Sequence, residues 1–333
     1  MIVVTGAPGH IGNNLVRLLL ERGQKVRCMA LRGESLAPLN GLRVEIVEGD
    51  VRDPASLDRA FAAADTVYHL ASVISLIPGH SDLLEQVNVK GARNVAEACL
   101  RCGVRRLVYT SSIHALVEPP HGTPIDESMA IDPSRMPMAY SKSKARGTLE
   151  VLDVAEKGLD AVVIFPTGVV GPYDFKPSQV GQMVLDYAGR RMPARIAGGY
   201  DFVDVRDVAL GHILACEKAP PGGRYILSGE WISVDDFMKE LADATGVPMP
   251  KLRVPLGLAR VAAAAFSTIS ALTGAKPPFN TDSFDTLLSN SLVHSDKAKA
   301  ELGYAPRPVR QSLRETVAWF RQTGALTAPF ARR

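Results

Sequence analysis

The stretch Ile2-Val3-Val4-Thr5-Gly6-Ala7-Pro8-Gly9-His10-Ile11-Gly12 passes from a short apolar run into three glycines at three-residue spacing. A brief, continuously apolar run suits a strand covered on both faces, as in a parallel sheet. Beyond it, Leu15, Leu18 and Leu19 recur at helical spacing. Gly6, Gly9 and Gly12 therefore lie at a strand-to-helix junction. Glycine there permits a tight turn and lets the backbone approach a pyrophosphate at a helix N-terminus. The junction, more than the number of glycines, marks a dinucleotide site.

The pattern continues outward. Strand candidates at 25–31, 43–47, 66–70, 106–110 and 161–165 alternate with helix candidates at 55–63, 82–102 and 141–157. Such alternation predicts an α/β fold with a doubly wound parallel sheet. Residues 117–138 carry Pro119, Pro120, Pro124, Pro133 and Pro137 and read as a long surface excursion. Past Pro166 the expected helices are 178–190, 205–218, 234–245, 255–273, 295–302 and 311–323, with one strand at 224–228. The expected division is a dinucleotide-binding domain, mainly 1–165, and a smaller interleaved C-terminal substrate lobe, mainly 166–333.

Composition narrows the function. The 333 residues hold 38 basic and 35 acidic side chains, a net charge of +3. That balance gives no electrostatic case for binding nucleic acid. The apolar run 261–275 is too short to span a bilayer, so no integral membrane span is expected. No secretory leader pattern precedes the first strand, and a cytoplasmic location is expected. Cys28, Cys99, Cys102 and Cys216 lack the partners of a zinc set, so no metal site is expected.

The end of the second strand bears on the cofactor. An acidic residue there binds ribose hydroxyls and selects NAD, whereas a basic one accommodates the phosphate of NADP. Ala30 occupies the acidic place and Arg32 follows it. NADP(H) is therefore favoured, with NAD(H) second; Glu34 would reverse this if its carboxylate folded inward.

Gly6-x-x-Gly9-x-x-Gly12 together with Tyr140-Ser141-Lys142-Ser143-Lys144 resembles the short-chain dehydrogenase/reductase superfamily in its extended branch. Gly49-Asp50-Val51-Arg52-Asp53, Thr110-Ser111-Ser112, Pro166-Thr167-Gly168-Val169-Val170-Gly171-Pro172 and Phe202-Val203-Asp204-Val205-Arg206-Asp207 extend the likeness over nearly the whole chain. Within the branch it is most similar to dihydroflavonol-4-reductase-like and 3β-hydroxysteroid-dehydrogenase-like proteins. The resemblance implies a Rossmann sheet and a homodimer. It also implies Ser112, Tyr140 and Lys144 as the catalytic set, with Ser111 as the fallback for Ser112. Gly6, Gly9, His10, Ile11, Gly12, Arg32, Asp50, Val51, Leu70, Ala71, Tyr140, Lys144, Pro166 and Val169 are the implied cofactor contacts. His114 and Tyr173 are candidates for the substrate side, with Phe175 and Lys176 near the pocket mouth. Asp204 and Asp207 read as the start of a helix.

The implied reaction is hydride transfer between the nicotinamide and a bulky, partly apolar alcohol/ketone pair, a small-molecule substrate. Tyr140 and Lys144 stand four residues apart on one helix face, which places an ammonium near the phenol. A nucleotide-sugar epimerase is the alternative; a dehydratase and a nucleotide sensor are further readings. Ser112 is followed by Ile113-His114 in place of the Asp-Glu pair of the dehydratases. The chain also has Phe165-Pro166-Thr167-Gly168 where many epimerases carry an Asn. A sensor would not need Ser112, Tyr140 and Lys144 together.

Overall fold

The computed structural model describes residues 1–74, 81–255, 258 and 289–326. The first half lays down β1 (Ile2–Thr5), α1 (His10–Glu21), β2 (Val26–Ala30), β3 (Glu45–Glu48), α2 (Pro54–Phe61) and β4 (Thr66–His69). Helix α3 (Ser81–Leu84) continues through a wide turn, Glu85–Lys90, into α4 (Gly91–Arg101). Then come β5 (Arg106–Thr110), α5 (Ala139–Ala155) and β6 (Ala161–Pro166). The second half supplies β7 (Gly168–Val170), α6 (Gln179–Ala188), β8 (Ala194–Ile196), β9 (Gly199–Asp204) and α7 (Val205–Lys218). It closes with β10 (Arg224–Leu227), β11 (Glu230–Ser233), α8 (Val234–Thr245), β12 (Leu252–Val254) and α9 (Val309–Gln322).

Seven strands form one parallel sheet in the order β10-β6-β5-β4-β1-β2-β3. Helices cover both faces, which explains why its strands read as unbroken apolar runs. One face packs Leu57, Phe61, Val95, Val151 and Val154 onto Val67, Leu107 and Val163. The other packs Leu15, Leu19, Val208 and Ile213 onto Val4, Val108 and Ile164. The strand order reverses between β1 and β4, so the first glycine turn and the turn after β4 lie side by side. A crevice at such a reversal is where doubly wound sheets bind ligands.

The helix expected at 82–102 is present but wider at Glu85–Lys90. That turn aims Asn88 at α5: its amide donates to Ser143 Oγ at 3.0 Å and to the Val73 carbonyl at 2.9 Å. The second half departs more from expectation. A separate sheet, β11-β9-β7, pairs residues 199–204 and 230–233, neither of which the sequence pattern marks as a strand. Asp201 and Asp204, types depleted in strands, obscure β9. Both are buried because partners are built in, Thr167 and the Gly229 amide for Asp201 and Arg206 for Asp204. Phe202, Phe237, Leu313 and Phe320 form the core beneath this sheet. Apart from residues 255 and 258, the expected helix at 255–273 lies outside the described residues.

Helix α5 approaches the wide turn so closely that a Cβ on Gly147 would stand 2.0 Å from the Asn88 carbonyl oxygen. Alanine favours a helix by about 1 kcal/mol over glycine. Even so, Gly147→Ala should destabilise the protein by about 1–3 kcal/mol through overpacking against backbone. A lowered melting temperature in a thermal melt is the expected result.

Candidate active site

The glycine loop is built around backbone contacts. Gly6 has φ +66°, and a Cβ there would lie 2.7 Å from the Ala71 nitrogen. A Cβ on Gly12 would lie 2.2 Å from the Gly6 carbonyl oxygen. Thr5 fastens the neighbouring turn, its hydroxyl accepting from the Leu70 and Ala71 amides at 3.2 and 3.3 Å. The same hydroxyl lies 2.7 Å from Nδ1 of buried His69.

Helix α1 differs from α2, α6, α7 and α8 at its start. Those four are capped by the side chains of Asp53, Ser178, Asp204 and Ser233. The cap of α1 is Gly9, which has no side chain to offer, and its first turn holds no acidic residue. An anion would satisfy those amides and meet the positive end of the helix dipole. This cradle fits the pyrophosphate of a dinucleotide.

A strap from the second half lies over the same helix. His10 Nε2 is 3.1 Å from the Pro172 carbonyl, while Asn13 and Asn14 donate to the carbonyls of Tyr173 and Pro172. Tyr173 has φ +63°. Its ring packs among Arg17, Phe175 and Trp319. Asn13, Asn14 and Thr5 were not expected from sequence. Amides one turn after a glycine loop are the signal that points to them.

At the adenosine end, Arg32 is exposed. The Glu34 carboxylate accepts from the Leu31 amide at 3.1 Å, so it closes its own turn. Asp50 is gripped by Arg52, with a shortest approach of 2.6 Å, and that hydrogen bond lowers the Asp50 pKa. Buried Val51 packs against Gly91, where a Cβ would be 2.7 Å from Val51 Cγ2.

The chemistry-bearing group forms where β5 and α5 meet. The turn that follows Ser112 packs against α5, which carries the Tyr140 phenol. Burial raises that phenol to about 12, and Ser112 partly opposes the rise. Ser111 Oγ is 2.7 Å from Thr148 Oγ1. Lys144 is 2% exposed and donates to the Thr110 carbonyl at 2.8 Å. Burial pushes its ammonium down to about 7. His69 is driven down to about 3, first by burial and then by the Lys144 charge. Pro166 ends β6 and Val169 lies in β7, with Thr167 between them bonded to Asp201 at 2.6 Å.

His114 stands one turn from Ser112, its amide donating to Ser112 Oγ at 3.3 Å. Its Nε2 is 3.0 Å from the hydroxyl of Tyr200 on β9. Asp204 caps α7, and Asp207 is held by Arg307 at 2.8 Å, so both are scaffold. All four cysteines are free thiols. Among the described residues no cluster of His, Cys, Asp and Glu could hold a metal, and no helix is long and apolar enough to cross a membrane.

A doubly wound sheet, a glycine cradle at its reversal and a Ser–Tyr–Lys group beside it define an NAD(P)-dependent enzyme. The chain belongs to the NAD dependent epimerase/dehydratase family, whose model matches residues 2–228, and so to the extended short-chain dehydrogenases/reductases. It is 37% identical over 326 residues to sterol demethylase protein B of Methylococcus capsulatus, covering 97% of this chain and 99% of that one. Identity to 3beta-hydroxysteroid-dehydrogenase/decarboxylase isoform 1 of Arabidopsis thaliana is 30%, covering 98% and 81%. The crystal structure of gox2253 superposes with a TM-score of 0.87 at 35% identity, covering 98% of this chain and 99% of the other.

The buried ammonium gives stability a pH dependence. With the ordinary lysine value at 10.5, the unfolded chain holds a proton that the folded chain releases from about pH 7 upward. The unfolded state binds more protons across that window, so stability rises with pH through it. In the cofactor-free protein, Lys144→Met should melt higher than the parent at pH 7. That advantage should shrink as the melts are repeated toward pH 10.

Proposed function

We propose that the protein is an NADP(H)-dependent oxidoreductase that interconverts a bulky, partly apolar alcohol and its ketone or aldehyde. The observation that carries this reading is buried Lys144, one helical turn from Tyr140 on α5, which packs against the turn that follows Ser112. When bound, the nicotinamide supplies or accepts the hydride. Tyr140 hands its proton to the substrate oxygen during reduction and takes it back during oxidation. Ser112 holds that oxygen. The Lys144 ammonium favours the ionised phenol and, by family likeness, grips the nicotinamide ribose.

Gly6, Gly9, His10, Ile11 and Gly12 cradle the pyrophosphate in this reading. Asp50 and Val51 border the adenine, Leu70 and Ala71 the middle of the dinucleotide, and Pro166 and Val169 the nicotinamide amide. Exposed Arg32 takes the 2′-phosphate, supported by the Glu34 carboxylate being turned onto its own loop. Residues 166–333 mainly form the substrate lobe, and the family likeness supports a homodimer. The two named relatives support a sterol-sized substrate, since one is named for sterol demethylation and the other for 3beta-hydroxysteroids.

The epimerase reading draws on the family description itself. Release of NAD on denaturing the purified protein, with no turnover of free NADPH, would favour it. The oxidoreductase reading expects NADPH oxidation by a ketone panel that includes steroids. Tyr140→Phe should lower kcat by at least about a thousandfold with the Kd for NADPH nearly unchanged. Unimpaired turnover in that variant overturns the assignment. Arg32→Ala should bring the apparent affinities for NADPH and NADH together, measured as the ratio of their KM values.

A further inference from the structure

A chain of hydrogen bonds crosses the seven-stranded sheet from α7 to the helix that carries Tyr140 and Lys144. His212 of α7 is wholly buried where that helix packs on β5. Its Nδ1 lies 2.7 Å from the Val208 carbonyl, and its Nε2 lies 2.7 Å from the Thr110 hydroxyl. A carbonyl only accepts, so Nδ1 carries the proton and Nε2 accepts from Thr110. The carbonyl of the same threonine accepts from the Lys144 ammonium at 2.8 Å. One residue at the end of β5 thus links a histidine on one face of the sheet to the lysine on the other.

The direction of each bond is fixed, and with it the place of the carbonyl. Burial drives His212 down to about 4, so its ring is neutral near pH 7 and stays an acceptor for Thr110. Beyond the Thr110 carbonyl, the Ser111 amide donates to the Ile164 carbonyl of β6 at 2.7 Å. Thr110 is therefore held at its side chain by α7 and at its following peptide by β6. The ammonium also meets the face of the Tyr109 ring at 5.0 Å, and that ring lies 5.5 Å from the His69 ring. His69 is neutral there, driven down to about 3, while burial raises the phenols of Tyr109 and Tyr140. Of these groups, Lys144 is the one that changes charge near pH 7.

We propose that His212 is a positioning residue: by holding the Thr110 hydroxyl it keeps the Thr110 carbonyl in place for the Lys144 ammonium, and so keeps that ammonium where Tyr140 uses it. The proposal rests on the oxidoreductase reading and deepens it, extending the machinery of that site to the opposite face of the sheet. A buried threonine hydroxyl that loses its acceptor turns to nearby main-chain groups. The strand end that carries the carbonyl then shifts with it. The carbonyl favours the charged form of Lys144, so its displacement lowers the proton affinity of the amine. Less ammonium is left beside the phenol at neutral pH.

Carbon-13 at the lysine Cε lets NMR follow the Lys144 titration in the cofactor-free protein, with Lys144→Met identifying the signal. The parent should titrate at about 7. His212→Leu and Thr110→Val should each lower the midpoint by about one pH unit, the size expected for one hydrogen bond to a charged group. Both remove the same bond, so the double variant should lower it no further. Thr110→Ser, which keeps the hydroxyl, should keep the parent midpoint. An unchanged or raised midpoint in the two single variants overturns the proposal, as do additive shifts in the double variant or a Thr110→Ser shift equal to that of Thr110→Val. Circular dichroism establishes that each variant is folded, and if His212→Leu is not, the two Thr110 variants decide. Turnover tests the underlying reading separately. With NADPH and a ketone that the parent reduces, His212→Leu should lower kcat about tenfold at a nearly unchanged KM for the ketone. A lowered midpoint with unaltered kcat would uphold the His212 chain and refute the part given to Lys144 in turnover. If no ketone is reduced, the oxidoreductase reading fails for that panel, and the titration still judges His212.

Discussion

The architecture hinges on how closely β1 and β4 let their following turns approach. Gly6 lies against the Leu70–Ala71 backbone with no room for a Cβ, and Thr5 stitches the two turns together with one hydroxyl. That contact exists because the sheet order reverses there, and it leaves a crevice whose floor is backbone. The crevice also puts an uncapped helix N-terminus beside the end of β4. The proposed pyrophosphate contacts, together with Leu70 and Ala71, are arranged around this junction. A side chain on Gly6 or Gly12 would remove the approach and the cradle together.

Helix α5 is the second fixed element, and its placement is set by the wide turn at Glu85–Lys90. Asn88 holds both Ser143 and the segment after β4, while Gly147 admits the turn's backbone. Tyr140 and Lys144 thus project from a helix that the wide turn holds at Ser143 and Gly147. Lys144 is placed at a cost in stability, since burial disfavours its charge more than the Thr110 carbonyl and the face of the Tyr109 ring, 5.0 Å away, offset it. Retaining a buried charge beside the reacting group is the pattern expected where function outweighs stability.

The first half was legible because its signals are local and periodic. Apolar runs bounded by glycine turns gave β1, β4 and β5, and helical spacing gave α1. That Tyr140 and Lys144 share one face of α5 was legible, because four-residue spacing on a helix is a geometric statement. The choice between Ser111 and Ser112 was not, since both end one strand and only the Thr148 contact separates them. The second sheet was hidden for a different reason. Asp201 and Asp204 sit inside β9 with partners from distant segments, and sequence spacing carries no record of those pairings. Tyr173 was offered for the substrate side by family likeness, and no periodic signal announced that Arg17 and Trp319 pack against its ring.

The same contrast explains why the cofactor class can be read and the substrate cannot. A dinucleotide is met mostly by backbone at a strand–helix junction, and glycines announce that requirement in the chain. In the proposed reading the substrate is met by side chains from both halves, and their meeting is a tertiary fact. The His114–Tyr200 bond spans 86 residues and joins a turn of the first half to a strand that sequence did not reveal. Sequence offered His114 as an isolated histidine two residues past a serine. Its partner became visible once β9 brought a phenol against it, and a contact of this kind has to be read from pairs, not from motifs.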